Sequence, residues 1–410
     1  MGMDLGLVVV VLCAVAAGCE GDEALGASFV FGDSLVDAGN NNYLPSLSKA
    51  DLRPNGIDFA ASGGQPTGRF TNGRTIADII GISFPLLLTI ADITMQALII
   101  RNTCFFFYIL EVNRLGMDVQ IDYFNITRRQ LDGLLGKAKA RRFLWKKAIF
   151  SITIGSNDFL NNYLLPFFSV GERLIESPDG FVNHLITSLR SQLIVITSNT
   201  WSSLPSHTTH PNPSLSVNTP WQRLYSLDAR KIVVSNVGPV GCIPYQKTIN
   251  RIKENECVSL PNLLAIRYNA QLRDLLAELN DNLPGARFVL ANVYDLVMEL
   301  VTNYRSYGKH RFGFGWNHPR CGVGWIVVTP PPPDCAGFKT ASYACCGNGG
   351  QYQGIIPCGP LSSMCEDRAG YVFWDPYHPS EAANLFLAKY IVDGDSKYIS
   401  PMNLRRLLQL

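Results

Sequence analysis

The sequence predicts an α/β protein built on a mostly parallel sheet with helices on both faces. Three observations carry that prediction. Short, continuously apolar runs recur along the chain, each closes on a turn signal, and each turn is followed by helical periodicity. Strands that read as unbroken apolar runs are those buried on both faces, which is the condition of a parallel sheet.

The elements follow in order. Strands are expected at Ser28 to Phe31, Ala148 to Ile154, Lys231 to Ser235 and Arg287 to Leu290, closed by the turns GDS, GSND, NVGPVG and ANVYD. Helices fit Thr127 to Leu144, Phe181 to Ile196, Leu260 to Leu279 and Ser380 to Val392, with Ser380 placed to cap the last one directly after Pro379. In open α/β sheets ligands bind beyond the carboxyl ends of the strands, and Ser34 and Asn157 both fall there.

Composition bounds the rest. A chain of 410 residues, 47% hydrophobic and 17% charged, buries a large core, and a formal charge of +2 gives no field of one sign to recruit nucleic acid or an anionic membrane. The N-terminus holds an apolar run from Leu5 to Ala17 followed by small residues, read as a secretory signal peptide over 1–18. It carries Asp4 and no Lys or Arg, which leaves an uncleaved anchor as the alternative. A single domain is expected over 26–400.

Three stretches interrupt the rhythm and read as irregular insertions at about 82–110, 197–225 and 309–338. The first is apolar without a clear period, and Asp92 and Arg101 interrupt it, so a buried segment is expected there and no stable membrane insertion. The second is rich in Ser, Thr, Asn and Pro, and the third holds the run Pro330 to Pro333. Setting aside the leader and these stretches, six of the 11 cysteines remain: Cys242, Cys257, Cys345, Cys346, Cys358 and Cys365. An even set in an exported chain reads as disulfides, with Cys242 and Cys257 suited to a local loop; no paired CxxC pattern supports zinc. Asn125-Ile-Thr127 is a glycosylation sequon.

One set of residues can hydrolyse an ester. That chemistry needs a nucleophile, a base, a group orienting the base, and donors aimed at the developing oxyanion. Ser34 follows a β-run and the Gly32-Asp33 turn. Asp375 stands three residues before His378, spacing that lets it hold the imidazole in the tautomer able to accept a proton. Asn157 follows another strand and supplies an amide donor. Taken singly, a serine in a turn, a DxxH pair or an asparagine after a strand is usually structural. His184 reads as an exposed or core histidine, and His207, His210, His310 and His318 fall in the irregular stretches.

The motifs extend beyond these residues. They are FVFGDSLVDAGNNN from Phe29, RPNGIDF and GGQPTGRFTNGRTIADII between 53 and 80, VNRLGMDVQIDYF at 112–124, FSITIGSNDFLNNY at 150–163, VVSNVGPVGCIPYQ at 233–246, ACCGNGG at 344–350 and FWDPYHPSEAAN at 373–384. In content and order the sequence resembles the plant-type GDSL esterase/lipases of the SGNH hydrolase superfamily. The resemblance implies a flavodoxin-like three-layer α/β/α sandwich and metal-free, cofactor-free hydrolysis of small acyl-ester or lipid substrates through an acyl-enzyme. It implies export to the cell wall or apoplast.

It also implies that Ser34 is the nucleophile and gives its backbone N–H to the oxyanion. His378 is then the general base, Asp375 its orienting partner and Asn157 the oxyanion side-chain donor. A glycine normally completes that hole, from a stretch between the PTGRF and RLGMD segments. Here Ile82 to Leu110 occupies the interval without one glycine, and Gly63 and Gly64, which mimic the motif, lie before PTGRF. The alternative is therefore a catalytically impaired or non-enzymatic homologue, or the product of a mis-spliced message.

Overall fold

The computed structural model describes residues 26–44, 46, 48–84, 87–90, 115–164, 176–194, 224–307 and 337–410. Its centre is a six-stranded sheet of β1 (Gly26–Gly32), β2 (Leu87–Ile90), β3 (Ala148–Thr153), β4 (Lys231–Ser235), β5 (Arg287–Ala291) and β10 (Ile399–Ser400). The spatial order is β10-β5-β4-β3-β1-β2, parallel throughout except for β10, which runs antiparallel to β5. The register sets Phe29 beside Phe150, Phe150 beside Ile232 and Ile232 beside Phe288, an apolar row across the middle of the sheet. The Phe29 and Phe150 rings stack 5.1 Å apart, and Phe124 meets both edge-on.

Helices complete a three-layer α/β/α sandwich. On one side lie α2 (Met117–Leu135), α3 (Lys137–Lys147), α4 (Pro178–Leu193) and α6 (Ser259–Asn282); on the other, α1 (Ile76–Ser83), α7 (Val293–Thr302) and α8 (Glu381–Asp393). The short α5 (Pro244–Ile249) precedes α6. Ser380 caps α8 as the sequence predicts, its hydroxyl accepting the Ala383 N–H at 3.2 Å. Smaller strand pairs, β6 (Thr340–Ala344) with β9 (Tyr371–Phe373) and β7 (Cys346–Gly347) with β8 (Ser363–Met364), precede α8. The six sorted cysteines form Cys242–Cys257, Cys345–Cys365 and Cys346–Cys358.

Four expectations need correction. The single helix expected over Thr127 to Leu144 starts at Met117 and is two helices, because Gly136 takes φ 78° and breaks the spiral. The break lets Arg128 on α2 and Trp145 on α3 reach the same Asp228 carboxylate. The stretch 82–110 is not wholly an insertion: Ile82 and Ser83 finish α1, and 87–90 pair in parallel with β1 as the sheet's edge strand. Its unpatterned apolar start is what a parallel strand requires. The insertions set at 197–225 and 309–338 reach too far. Leu224 and Tyr225 bond to the end of α4, and Phe338, buried, bonds to Tyr307. The domain likewise runs past 400, since α9 (Leu404–Leu408) buries Leu404 and Leu407.

The leader, residues 91–114 and most of the other two insertions lie outside the described residues, as do His207, His210, His310 and His318. Among the described residues no helix is long and apolar enough to cross a membrane.

Candidate active site

The strand order β2-β1-β3-β4-β5 reverses direction between β1 and β3, and that switch point opens a crevice beyond the strands' carboxyl ends. Ser34 stands just past β1 and Asn157 just past β3, on either side of the crevice. Gly32 makes the turn into Ser34 possible. A Cβ there would sit 2.5 Å from the Val36 side chain and 2.6 Å from the Thr153 carbonyl oxygen. The buried Gln120 on α2 holds both faces of that peptide: its Oε1 accepts the Gly32 N–H at 3.0 Å, and its Nε2 donates to the Gly32 carbonyl at 3.0 Å. Asp33 N–H then reaches across to the Thr153 carbonyl at 3.1 Å.

The sheet delivers the serine and the C-terminal segment delivers the rest. His378 Nε2 lies 2.7 Å from Ser34 Oγ, although 344 residues separate them. On the other side of the ring, Nδ1 lies 2.8 Å from both Asp375 oxygens. Asp375 Oδ1 also accepts the backbone N–H groups of Tyr377 and His378, each at 2.8 Å. All three residues are buried, Asp375 most deeply, with Ser34 and His378 at the floor of a cavity of about 430 Å³.

The turn that presents His378 is fastened from several directions. Trp374 is fully buried and donates its indole N–H to Asn55 Oδ1 at 2.9 Å. Thr71 Oγ1 donates to the Pro379 carbonyl, Asn72 Oδ1 accepts the Glu381 N–H, and Arg74 pairs with Glu381. Gly73 lies against that pair, where a Cβ would stand 2.6 Å from the Glu381 carboxyl carbon. The Phe70 ring packs 5.0 Å from the imidazole. Thus the segment 70–74 serves as the seat for the histidine turn.

Asn157 lines the same cavity. Asn161, one turn on, donates its Nδ2 to Asn157 Oδ1 at 2.8 Å, which leaves the Asn157 NH₂ directed away from that contact. Complete burial raises the Asp33 carboxyl to about 6, a shift opposed by the Leu35 N–H, His378 and the Asn157 side chain. Among the described residues the Ser34 N–H carries no hydrogen bond and remains available as a donor. Burial likewise holds the Tyr377 hydroxyl above the ordinary tyrosine range, with Tyr245 and Asp375 adding to it.

The structure thus brings Ser34, Asp375, His378 and Asn157 together. Gly63 and Gly64 do not line the cavity; both take positive φ in a turn, with Gly64 N–H bonded to the Phe59 carbonyl. His184 lies on the surface of α4, 3.6 Å from Glu176. The described residues hold no cluster of metal ligands. Sequence reasoning missed Gln120, Asn161 and the seat at 70–74. Only Asn161 had a local signal, the i,i+4 spacing from Asn157.

Comparison with known proteins agrees with this arrangement. The GDSL-like lipase/acylhydrolase family profile matches residues 29–391. The chain is 53% identical over 399 residues to the GDSL esterase/lipase At2g23540 of Arabidopsis thaliana, covering 93% of this chain and 88% of that protein. It is 48% identical over 409 residues to At3g50400 of the same plant, covering 95% and 93%. It is 39% identical over 408 residues to At4g16230, covering 96% and 93%. With a Ser–His–Asp arrangement at the sheet's switch point and a profile match over most of its length, the chain belongs to the GDSL-like lipase/acylhydrolase family, hydrolases that act on ester bonds.

Proposed function

We propose that this protein is an exported serine esterase or lipase that cleaves carboxylic acyl esters through an acyl-enzyme. Ser34 Oγ attacks the ester carbonyl carbon while its proton passes to His378 Nε2, and the carbonyl π pair moves to oxygen. The Ser34 N–H and the Asn157 amide donate to that oxyanion. Collapse restores the carbonyl and expels the alcohol, which takes the proton from His378. Water then gives its proton to His378, attacks the acyl carbon and releases the acid, and Ser34 recovers its proton. Asp375 holds the imidazole with its Nε2 lone pair toward Ser34 and stabilises the imidazolium formed in each half.

The observation that carries this reading is the imidazole bonded on both sides, 2.7 Å from Ser34 Oγ and 2.8 Å from Asp375. The three disulfides among the described residues support passage through an oxidising compartment. The test is labelling of the purified chain by a fluorophosphonate together with hydrolysis of a short-chain p-nitrophenyl ester, beside Ser34→Ala. Labelling and turnover abolished by Ser34→Ala support the reading; an unlabelled chain, or turnover that survives Ser34→Ala, overturns it.

A second reading is a catalytically impaired homologue. Residues 82–110 contain no glycine, and the described residues offer the oxyanion two donors where the family supplies three. Loss of one donor costs about 10²–10³ in turnover. Turnover that emerges only when a glycine-bearing family segment replaces 91–110 favours this second reading. Transcript sequencing then separates a diverged gene from a mis-spliced message.

A further inference from the structure

The cavity that holds Ser34 does not end at the catalytic residues. It continues between α7 and α8, where Val293, Val297 and Leu300 face Ala383, Leu387 and Ile391. On each helix the spacing is that of one face, so the two rows form the walls of a single slot. None of the six side chains offers a hydrogen-bond donor or acceptor. Among the described residues the ionisable lining groups, Asp33, Lys49 and His378, are not on these two helices. Such walls have nothing with which to recognise a sugar, a carboxylate or a phosphate, and filling them with water gains no hydrogen bonds.

From these walls we infer that the protein selects esters of unbranched acyl chains of about eight to twelve carbons and seats the acyl tail between α7 and α8. This rests on the esterase reading and narrows it. From Ala383 to Ile391 the slot advances about 12 Å along the helix. With carbon–carbon bonds of about 1.5 Å, an extended chain advances about 1.3 Å per carbon, so about nine carbons fill that length. The tail enters at the Ala383 end, nearest His378 in the chain, and ends against Leu300 and Ile391. An acetyl group reaches none of this surface.

The test measures kcat/KM on p-nitrophenyl acetate, butyrate, octanoate, decanoate, dodecanoate and palmitate, alongside calorimetric titration of Ser34→Ala protein with sodium decanoate and sodium acetate. The specificity constant is expected to rise toward about fourfold per buried methylene, the equivalent of about 0.8 kcal/mol, and to stop rising when the slot is full. Ala383→Leu, Leu387→Trp and Ile391→Trp should shorten the preferred chain, most for Ala383 and least for Ile391. Ile391→Ala, which opens the closed end, should lengthen it, a direction that loss of fold does not produce. Turnover greatest on acetate, or a preference unmoved by all four variants, overturns the acyl slot while leaving the esterase reading standing. Decanoate binding that weakens in the same order without hydrolysis of any ester keeps the slot and overturns the esterase. Absence of both overturns both.

Discussion

Replacing Asp375 with asparagine changes one atom and should silence the site. Both backbone donors, the N–H groups of Tyr377 and His378, point at the same carboxylate oxygen, Oδ1, at 2.8 Å. In Asp375→Asn those two donors retain the amide oxygen, so the NH₂ group must take the place of Oδ2, 2.8 Å from His378 Nδ1. With the lone pairs of Oδ1 already taken by two backbone N–H groups, an NH₂ there donates to Nδ1 and drives the ring proton to Nε2, the nitrogen 2.7 Å from Ser34 Oγ. The imidazole then has no lone pair to receive the serine proton. A wrong tautomer of this kind costs about 10⁴ in turnover, or about 5.4 kcal/mol at 1.36 kcal/mol per decade.

The fold should hardly notice that exchange, because both backbone bonds survive and stability should stay within about 1 kcal/mol. Asp375→Ala differs, since it orphans two buried N–H groups at roughly 1–3 kcal/mol each. The assay is the second-order rate of fluorophosphonate labelling of Ser34, with urea unfolding of the same preparations. Asp375→Asn that keeps more than a tenth of the labelling rate would refute the claim that Asp375 sets the tautomer.

Other outcomes follow from single contacts. Asn157→Ala should lower kcat by about 10²–10³ with little change in KM, and Asn161→Ala, which frees the amide to turn, should lower it less; equal KM-driven losses in both would count against an oxyanion role. Asp33 is raised from 3.8 to about 6 in the fold, so the folded state binds more protons between those values, and stability falls as pH rises through that window, then levels. Asp33→Asn should therefore stabilise the protein at pH 7.5 by up to about 3 kcal/mol, with a smaller gain at pH 4.5. Urea midpoints at the two pH values check it, and an equal gain at both would sink it. Gly136→Ala should cost about 1–3 kcal/mol from backbone strain alone, because φ 78° and ψ 146° suit only glycine and no atom lies within 4 Å of the added methyl; urea unfolding unchanged from the parent would refute that account.

Much of the architecture was legible because it is locally written. The strands at 148–153 and 231–235 are largely apolar runs, as befits central strands whose faces both lie under helices. Ser380 declares its helix by its own side chain. The edge strand at 87–90 was not legible, because an apolar run gives a strand no address until β1 is beside it. The break at Gly136 was overlooked inside a strongly periodic stretch, and the contact it permits, a shared Asp228, lies about a hundred residues away. At the site, Ser34, Asp375, His378 and Asn157 were readable from turn position and motif. Gln120 and the 70–74 seat were not, since their partners are 88 to 309 positions distant in sequence. Of the disulfides, the Cys242–Cys257 loop was the one that spacing alone suggested.

The seat at 70–74 bears on how the protein is made. Its residues and Ser34 leave the ribosome early, whereas the turn it receives comes almost at the end of synthesis, 344 residues after the nucleophile. Until that turn docks, no imidazole stands beside the Ser34 hydroxyl. The arrangement therefore stays unassembled while the chain is growing, and it is complete only in the one step by which the C-terminal segment docks.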